Sequence, residues 1–242
     1  MNSDTAVKDS SVSSETGPSN EAKKEPSSNG AGPTTTTSPS ALSRPENVAI
    51  FGGAFDPPSL AHLVVALAVH AETGFQVWFM PCYAHRFGKE MAAPAYRLKM
   101  CELITRSFGS HWFKTSPFEI EQKHNGSTYE LFDLLKDQHK ETHRFHLVMG
   151  MDNWLKIEEW DRGMKLVTEN PVILLRRPGY SEAGKIRDRT DHLKLVDLHF
   201  PGASSTSIRD AIREKNYLFA RRQVYSEVWD FVRSNGLYGY GR

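Results

Sequence analysis

Short apolar runs recur along this chain, separated by stretches long enough to hold a helix. Asn47 to Phe51, Phe75 to Pro81, Phe145 to Met149, Pro171 to Leu175 and Leu193 to Leu198 are each bounded by Gly, Pro or polar residues and read as buried strands. Between several of them apolar residues fall at helical spacing: Ala61 to Glu72, Tyr96 to Phe108, Thr128 to Gln138 and Ser207 to Glu214. The alternation predicts an α/β domain built on a doubly wound, mostly parallel sheet with helices on both faces. In such a sheet ligands bind beyond the carboxyl ends of the strands, near the point where strand order reverses. The segments to read for chemistry are therefore Gly52 to His62, Cys82 to Lys89, Gly150 to Trp160, Arg176 to Gly179 and His199 to Arg209.

The pattern starts only at Asn47. Residues 1–46 are Ser, Thr, Pro, Asn, Gly, Glu and Lys with almost no large apolar side chain. Such a segment buries too little surface to offset its ordering entropy and is expected to be a disordered tail, leaving residues 47–242 as one folded domain. The tail has no continuous apolar stretch and Arg44 is its only arginine, which argues against a targeting signal. No later run reaches the length needed to span a bilayer, so an intracellular, cytoplasmic protein away from membranes is expected. Cys82 and Cys101 allow neither a disulfide framework nor a cysteine-rich zinc site and read as reduced thiols. The formal net charge is +1, with basic residues spread among acidic ones. No nucleic-acid-binding face stands out, and the partner is expected to be small.

The stretch NVAIFGGAFDPPSLAHLVVAL, Asn47 to Leu67, shows what that partner requires. Gly52 and Gly53 lack a Cβ, so a phosphate or base can approach the backbone where the first strand ends. The following helix turns its unpaired N–H groups and the positive end of its dipole toward the same place. His62 falls in its first turn and Ser59 three residues earlier, spacing that lets both point into one pocket. Gly202-Ala203-Ser204-Ser205-Thr206-Ser207-Ile208-Arg209 repeats the design after the last strand, with hydroxyls, a helix N-terminus and an arginine. Two anion sites flanking one cleft suggest a nucleoside triphosphate. Elsewhere the residues leave alternatives open: Asp152 can cap a helix, Trp160 can be a core aromatic, and His85 and Lys89 can sit in a solvated loop. Ser127 to Glu130 reads first as a capping arrangement.

Three segments carry a resemblance to a known family. GGAFDPPSLAH resembles the GG-T-F-D-P-x-H-x-G-H segment of nucleotidyltransferases with a HIGH-type motif, with Ser59 in place of the first histidine and Ala61 in place of the glycine. SSTSIR is similar to their S-S-T-x-I-R segment, and GMDNWLKIEEW looks like their G-x-D-x7-W segment. Each motif alone is weak, but three in this order at three strand ends resemble the nicotinamide or nicotinate mononucleotide adenylyltransferases, from about Asn47 to Tyr238. The resemblance implies a Rossmann-like fold. It also implies transfer of the adenylyl group of ATP to the 5′-phosphate of a pyridine mononucleotide, with release of pyrophosphate.

The same resemblance implies roles. His62 and Arg209 are the catalytic candidates, with His62 donating to phosphate at the reacting centre. ATP would lie against Gly52, Gly53, Ala54, Phe55 and Ser59, with Asp152 on the adenosine ribose and Ser204, Ser205 and Thr206 at its phosphates. His85 and Lys89 would contact the mononucleotide phosphate, and Trp160 would stack on the pyridine ring. Mg2+ is expected to arrive with ATP, with no protein metal site, and a homo-oligomer is compatible with the family. The rivals are an adenylyl- or cytidylyltransferase acting on another small phosphate acceptor, and a non-catalytic nucleotide-binding paralogue. A class I aminoacyl-tRNA synthetase is disfavoured by the chain's length and the lack of a K-M-S-K-S segment.

Overall fold

The computed structural model describes residues 44–84, 90–176, 193–197 and 203–241, the side chains of 193–195 excepted. The proposed tail up to Ser43 lies outside the described residues, as do His85, Lys89, Arg177 to Gly179 and His199 to Gly202. Six strands form one sheet: β1 Glu46–Gly53, β2 Gln76–Pro81, β3 Phe113–Thr115, β4 His143–Gly150, β5 Val172–Arg176 and β6 Leu193–Asp197. Their order is β3-β2-β1-β4-β5-β6 and every pairing is parallel.

The apolar runs become central strands because both faces of the sheet are covered. In β1 Ala49 and Phe51 point into one core with Val77, Phe79 and Val148, while Val48 and Ile50 point into the other with Trp78, Met80 and Leu147. Helix α1 Leu60–Thr73 packs on the first core and stops at Gly74, whose φ of 70° ends the helix in the left-handed region. Helix α2 Pro94–Thr105 starts with proline at its first position, two residues earlier than the spacing suggests, because proline lacks the N–H that the first turn leaves unpaired. Then come α3 Phe118–Glu121, α4 Thr128–His139, α5 Met151–Trp154 and α6 Gly163–Glu169. Helices α7 Ser205–Arg213, α8 Tyr217–Arg222 and α9 Ser226–Ser234 complete the chain.

The edge strand β3 was not expected from the apolar pattern. It has three residues, of which only Phe113 is buried, so no run marks it. Helix α9 was also missed, although Val228, Trp229 and Val232 form its buried stripe. The consequence for function is the strand order: β2 and β3 lie on one side of β1 and β4 to β6 on the other, so the order in which strands are added reverses between β1 and β4 while all strands stay parallel. The crevice at their carboxyl ends is the expected ligand position.

Candidate active site

A cavity of about 280 Å3 opens at that crevice. Gly52, Gly53 and Ala54 from the end of β1 and Met149 from β4 line it, together with Glu119, Thr128, Trp160 and Asp161. Of the residues expected at a ligand site, Gly52, Gly53, Ala54 and Trp160 line this cavity; Glu119 and Asp161, which no motif marks, line it as well. Trp160 is half-buried and borders the cavity, so it is available to a ligand rather than sealed in the core.

The loop from Ala54 to Ser59 is held rigidly. Phe55 has a φ of 49°, unfavourable for a residue with a side chain, and its ring pays for it by packing against Phe51, Phe79 and His62. The whole residue is buried and, unlike Ala54 before it, does not line the cavity. Asp56 is buried: its Oδ1 accepts from the Ala92 N–H at 3.1 Å and the Tyr238 hydroxyl at 3.0 Å, and Arg209 Nη1 lies 3.6 Å from its Oδ2. Burial, followed by the Asp56 charge, raises the Tyr238 phenol so that it stays protonated as a donor.

Ser59 is the N-cap residue of α1 and is buried. Its backbone N–H donates to His62 Nδ1 at 2.9 Å, and its hydroxyl lies 2.9 Å from the same atom. This is a capping box in which histidine takes the role usually given to Glu or Gln. Because Nδ1 accepts the Ser59 N–H, the neutral ring carries its proton on Nε2, which makes His62 a donor at that atom. Ser59 therefore faces His62, and its contribution is to fix the tautomer and direction of that ring.

Helix α7 is tied to the same loop. Ser204 caps it by accepting from the Ser207 N–H at 3.1 Å, and Ser205 donates to the Pro57 carbonyl at 2.8 Å. Arg209 is buried, donating to the Asp56 carbonyl at 2.7 Å and to Thr206 Oγ1 at 3.2 Å. The guanidinium thus joins the loop to α7 before any ligand arrives. Thr206 and Ser204 are exposed at the helix start. Asp152 is exposed in the first turn of α5, beside Gly150, where a side chain would strike its carboxylate. His62, Asp152, Arg209 and the start of α7 do not border the cavity itself.

A second buried arginine holds the same loop from α2 and ties it to the residues after β2. Arg97 on α2 is fully buried and donates to the carbonyls of Ala92 and Ala54, both at 2.9 Å, and of Tyr83 at 3.2 Å. Beside it Glu119 accepts the Tyr83 N–H at 3.3 Å, and burial pushes its carboxyl up to about 7 against the opposing pull of that bond and of Arg97. Burial and the Glu119 charge also raise the Cys82 thiol, which reads as an unreactive wall of the cavity. No sequence signal marked Arg97 or Glu119, since a charged residue in a helical segment reads as solvated. Among the described residues no three metal-ligating side chains come together.

Glycines at a strand end, a capped helix with a donor histidine and a second capped helix beside it define a nucleotide-binding α/β domain. Residues 50–211 match the cytidylyltransferase-like family. The chain is 31% identical over 201 residues to the "Probable nicotinate-nucleotide adenylyltransferase" of Myxococcus xanthus, covering 81% of this chain and 96% of that one. It is 30% identical to the protein of the same name from Bacteroides thetaiotaomicron, covering 76% and 89%. The chain belongs to the cytidylyltransferase-like nucleotidyltransferases, in the branch of the nicotinate-nucleotide adenylyltransferases. Its fold matches Plasmodium falciparum nicotinic acid mononucleotide adenylyltransferase complexed with NaAD, with a TM-score of 0.70 at 22% identity over 81% of this chain and 98% of that one. No helix among the described residues is long and apolar enough to cross a membrane.

Proposed function

We propose that this enzyme transfers the adenylyl group of ATP to nicotinate mononucleotide, in preference to nicotinamide mononucleotide, and releases pyrophosphate. The observation that carries the reading is the His62 capping box, because it holds a phosphate donor in one tautomer next to a strand end that admits a phosphate. An oxygen of the mononucleotide 5′-phosphate attacks the α-phosphorus, the bond to the bridging oxygen of pyrophosphate breaks, and pyrophosphate leaves. No covalent enzyme intermediate is needed. The protein's contribution is alignment and charge stabilisation. His62 donates from Nε2 to the phosphate where charge develops, and Ser59 orients it. The start of α7 offers N–H groups and the Thr206 hydroxyl to the distal phosphates. Arg209 keeps α7 and the loop in register through Asp56, and its positive charge adds to the field at the phosphates.

In this reading Asp152 accepts from the ribose hydroxyls and Trp160 stacks on the pyridine. The donors around the phosphates are N–H and hydroxyl groups; of the Asp56 carboxylate, Oδ1 is committed to Ala92 and Tyr238, and the buried Oδ2 has the Arg209 charge 3.6 Å away without a hydrogen bond among the described residues. That set suits phosphate oxygens, so Mg2+ fits here as an ion carried by ATP and water, where it neutralises the polyphosphate. The names of the relatives favour nicotinate as acceptor. A Glu119 carboxyl raised to about 7 is partly neutral near neutral pH and so repels a bound carboxylate less than an ionised one would, which admits nicotinate without selecting it. The test is pyrophosphate release from ATP with each mononucleotide supplied alone. Higher kcat/KM with nicotinamide mononucleotide would overturn the preference, and no release with either would overturn the activity.

A further inference from the structure

We infer that Asp161 and Arg162 form a latch that fixes Trp160 over the cavity, which makes both of them positioning residues for the pyridine mononucleotide. The inference rests on the reading of the cavity given above. Trp160 lies in no regular element, between a 3-10 turn at Ile157–Glu159 and α6. Its N–H donates to the Ile157 carbonyl at 3.2 Å and its carbonyl accepts the Gly163 N–H at 3.1 Å. The turn is tight: a side chain at Gly163 would run into the Ile157 carbonyl oxygen. Arg162 has a φ of 48°, which a residue with a side chain adopts only when its surroundings hold it there.

What holds it comes from α4. Asp161 Oδ2 accepts the Ser127 hydroxyl at 2.6 Å, and Arg162 Nη2 donates to the same oxygen at 3.3 Å and to Glu130 Oε1. The guanidinium carbon lies 4.5 Å from the centre of the Tyr129 ring. Asn125 donates to the other Glu130 oxygen at 2.9 Å, fixing that carboxylate. Ser127 is the N-cap of α4, and Tyr129 and Glu130 belong to its first turn. Gly126 and Thr128, on either side of Ser127, line the same cavity as Trp160 and Asp161. The latch therefore joins two walls of one cavity, and its state sets the distance between the indole and the start of α4.

The pair between Arg162 and Glu130 is exposed at 44% and 41%, so it adds little to global stability. Its effect belongs in ligand geometry, where a small misplacement of a stacking group is costly. Arg162→Gly relieves the positive φ while removing the anchor, and Arg162→Ala removes the anchor and keeps the strain. Arg162→Gly is therefore expected to melt above Arg162→Ala, yet both should weaken calorimetric binding of the mononucleotide roughly ten-fold. KM for ATP should change by less than about two-fold, since the described bonds of the latch run to Ser127, Tyr129 and Glu130 and not to the β1–α1 loop. Asp161→Asn keeps an acceptor for Ser127 and should lose only about three-fold.

Mononucleotide binding within about two-fold of wild type in Arg162→Gly and Asp161→Ala would overturn the latch and leave the activity intact. An equal rise in KM for ATP would also overturn it, because that marks general loosening. If wild type binds the mononucleotide, the variants lose it, and no dinucleotide forms, the latch stands and the proposed activity falls.

Discussion

The two sides of the ligand crevice are held by different means. On the phosphate side Asp56, Ser59 and Arg209 are buried: Asp56 and Arg209 bond to backbone groups, to Tyr238 and Thr206 and pair with each other, and Ser59 bonds to the His62 ring. On the side that carries Trp160, Asp161 and Glu130 are half-buried and Arg162 is exposed, joined by side-chain bonds that water can compete for. Buried polar networks resist change because a lost partner leaves a desolvated group unpaired, whereas exposed ones adjust at little cost. The difference teaches that one wall is built to stay fixed and the other to tolerate small movement. Polyphosphate geometry requires the first, and entry of an aromatic ring allows the second.

The strongest way to break the comparison is Asp56→Ala. It removes the partner of a buried arginine and the acceptor of both the Ala92 N–H and the Tyr238 hydroxyl. Losing one member of a buried charge pair typically costs about 3 to 5 kcal/mol, so urea unfolding should show that loss and the soluble yield should drop. A loss below about 1 kcal/mol would mean the phosphate side is no more rigid than the latch side.

His62→Ala comes next and separates chemistry from scaffold. Losing one preorganised donor at a reacting oxyanion lowers turnover by roughly two to three orders of magnitude, and single-turnover dinucleotide formation should show it, well beyond the roughly 1 kcal/mol of stability lost when the Ser59 N–H loses its acceptor. Ser59→Ala should act more weakly on turnover, since the backbone N–H that orients His62 is still present. Its cost is the cap, about 1 kcal/mol of stability. A His62→Ala enzyme forming dinucleotide at the wild-type rate would remove this residue from the reaction.

The same contrast decides what could be read from the chain. The phosphate side was largely legible because its parts are local: Gly52 and Gly53, Ser59 and His62, and Ser204 to Arg209 each lie within one strand-to-helix junction. What the motif did not reveal was direction, since Ser59 and Arg209 turn toward His62 and Asp56. The supports of both sides depend on residues brought together only by the fold. Ser127 meets Asp161, Arg97 reaches Ala54, and Tyr238 reaches Asp56, each across a gap that no helical or strand period links. Arg97 and Glu119 look like surface charges because periodicity cannot tell a solvated helix face from one covered by a later element.

Glu119→Gln sharpens the comparison by asking whether the cavity wall stores a titratable cost. The wild-type carboxyl is raised from its ordinary 4.5 to about 7, mainly by burial. The folded state therefore favours the protonated form, and the stability this group contributes is present below its unfolded value and lost as pH rises through about 7. Glutamine keeps an oxygen for the Tyr83 N–H and does not ionise. The two proteins should be nearly equal in stability near pH 4.5, and the variant should pull ahead by about 3 kcal/mol above pH 7, where the wild-type carboxyl ionises in both states. Thermal or urea unfolding of both proteins from pH 5 to pH 8 measures the gap, and other titrating groups cancel in the difference. A gap that does not widen with pH would mean the Glu119 carboxyl is solvated, and its neutral form could then no longer be invoked beside a nicotinate carboxylate.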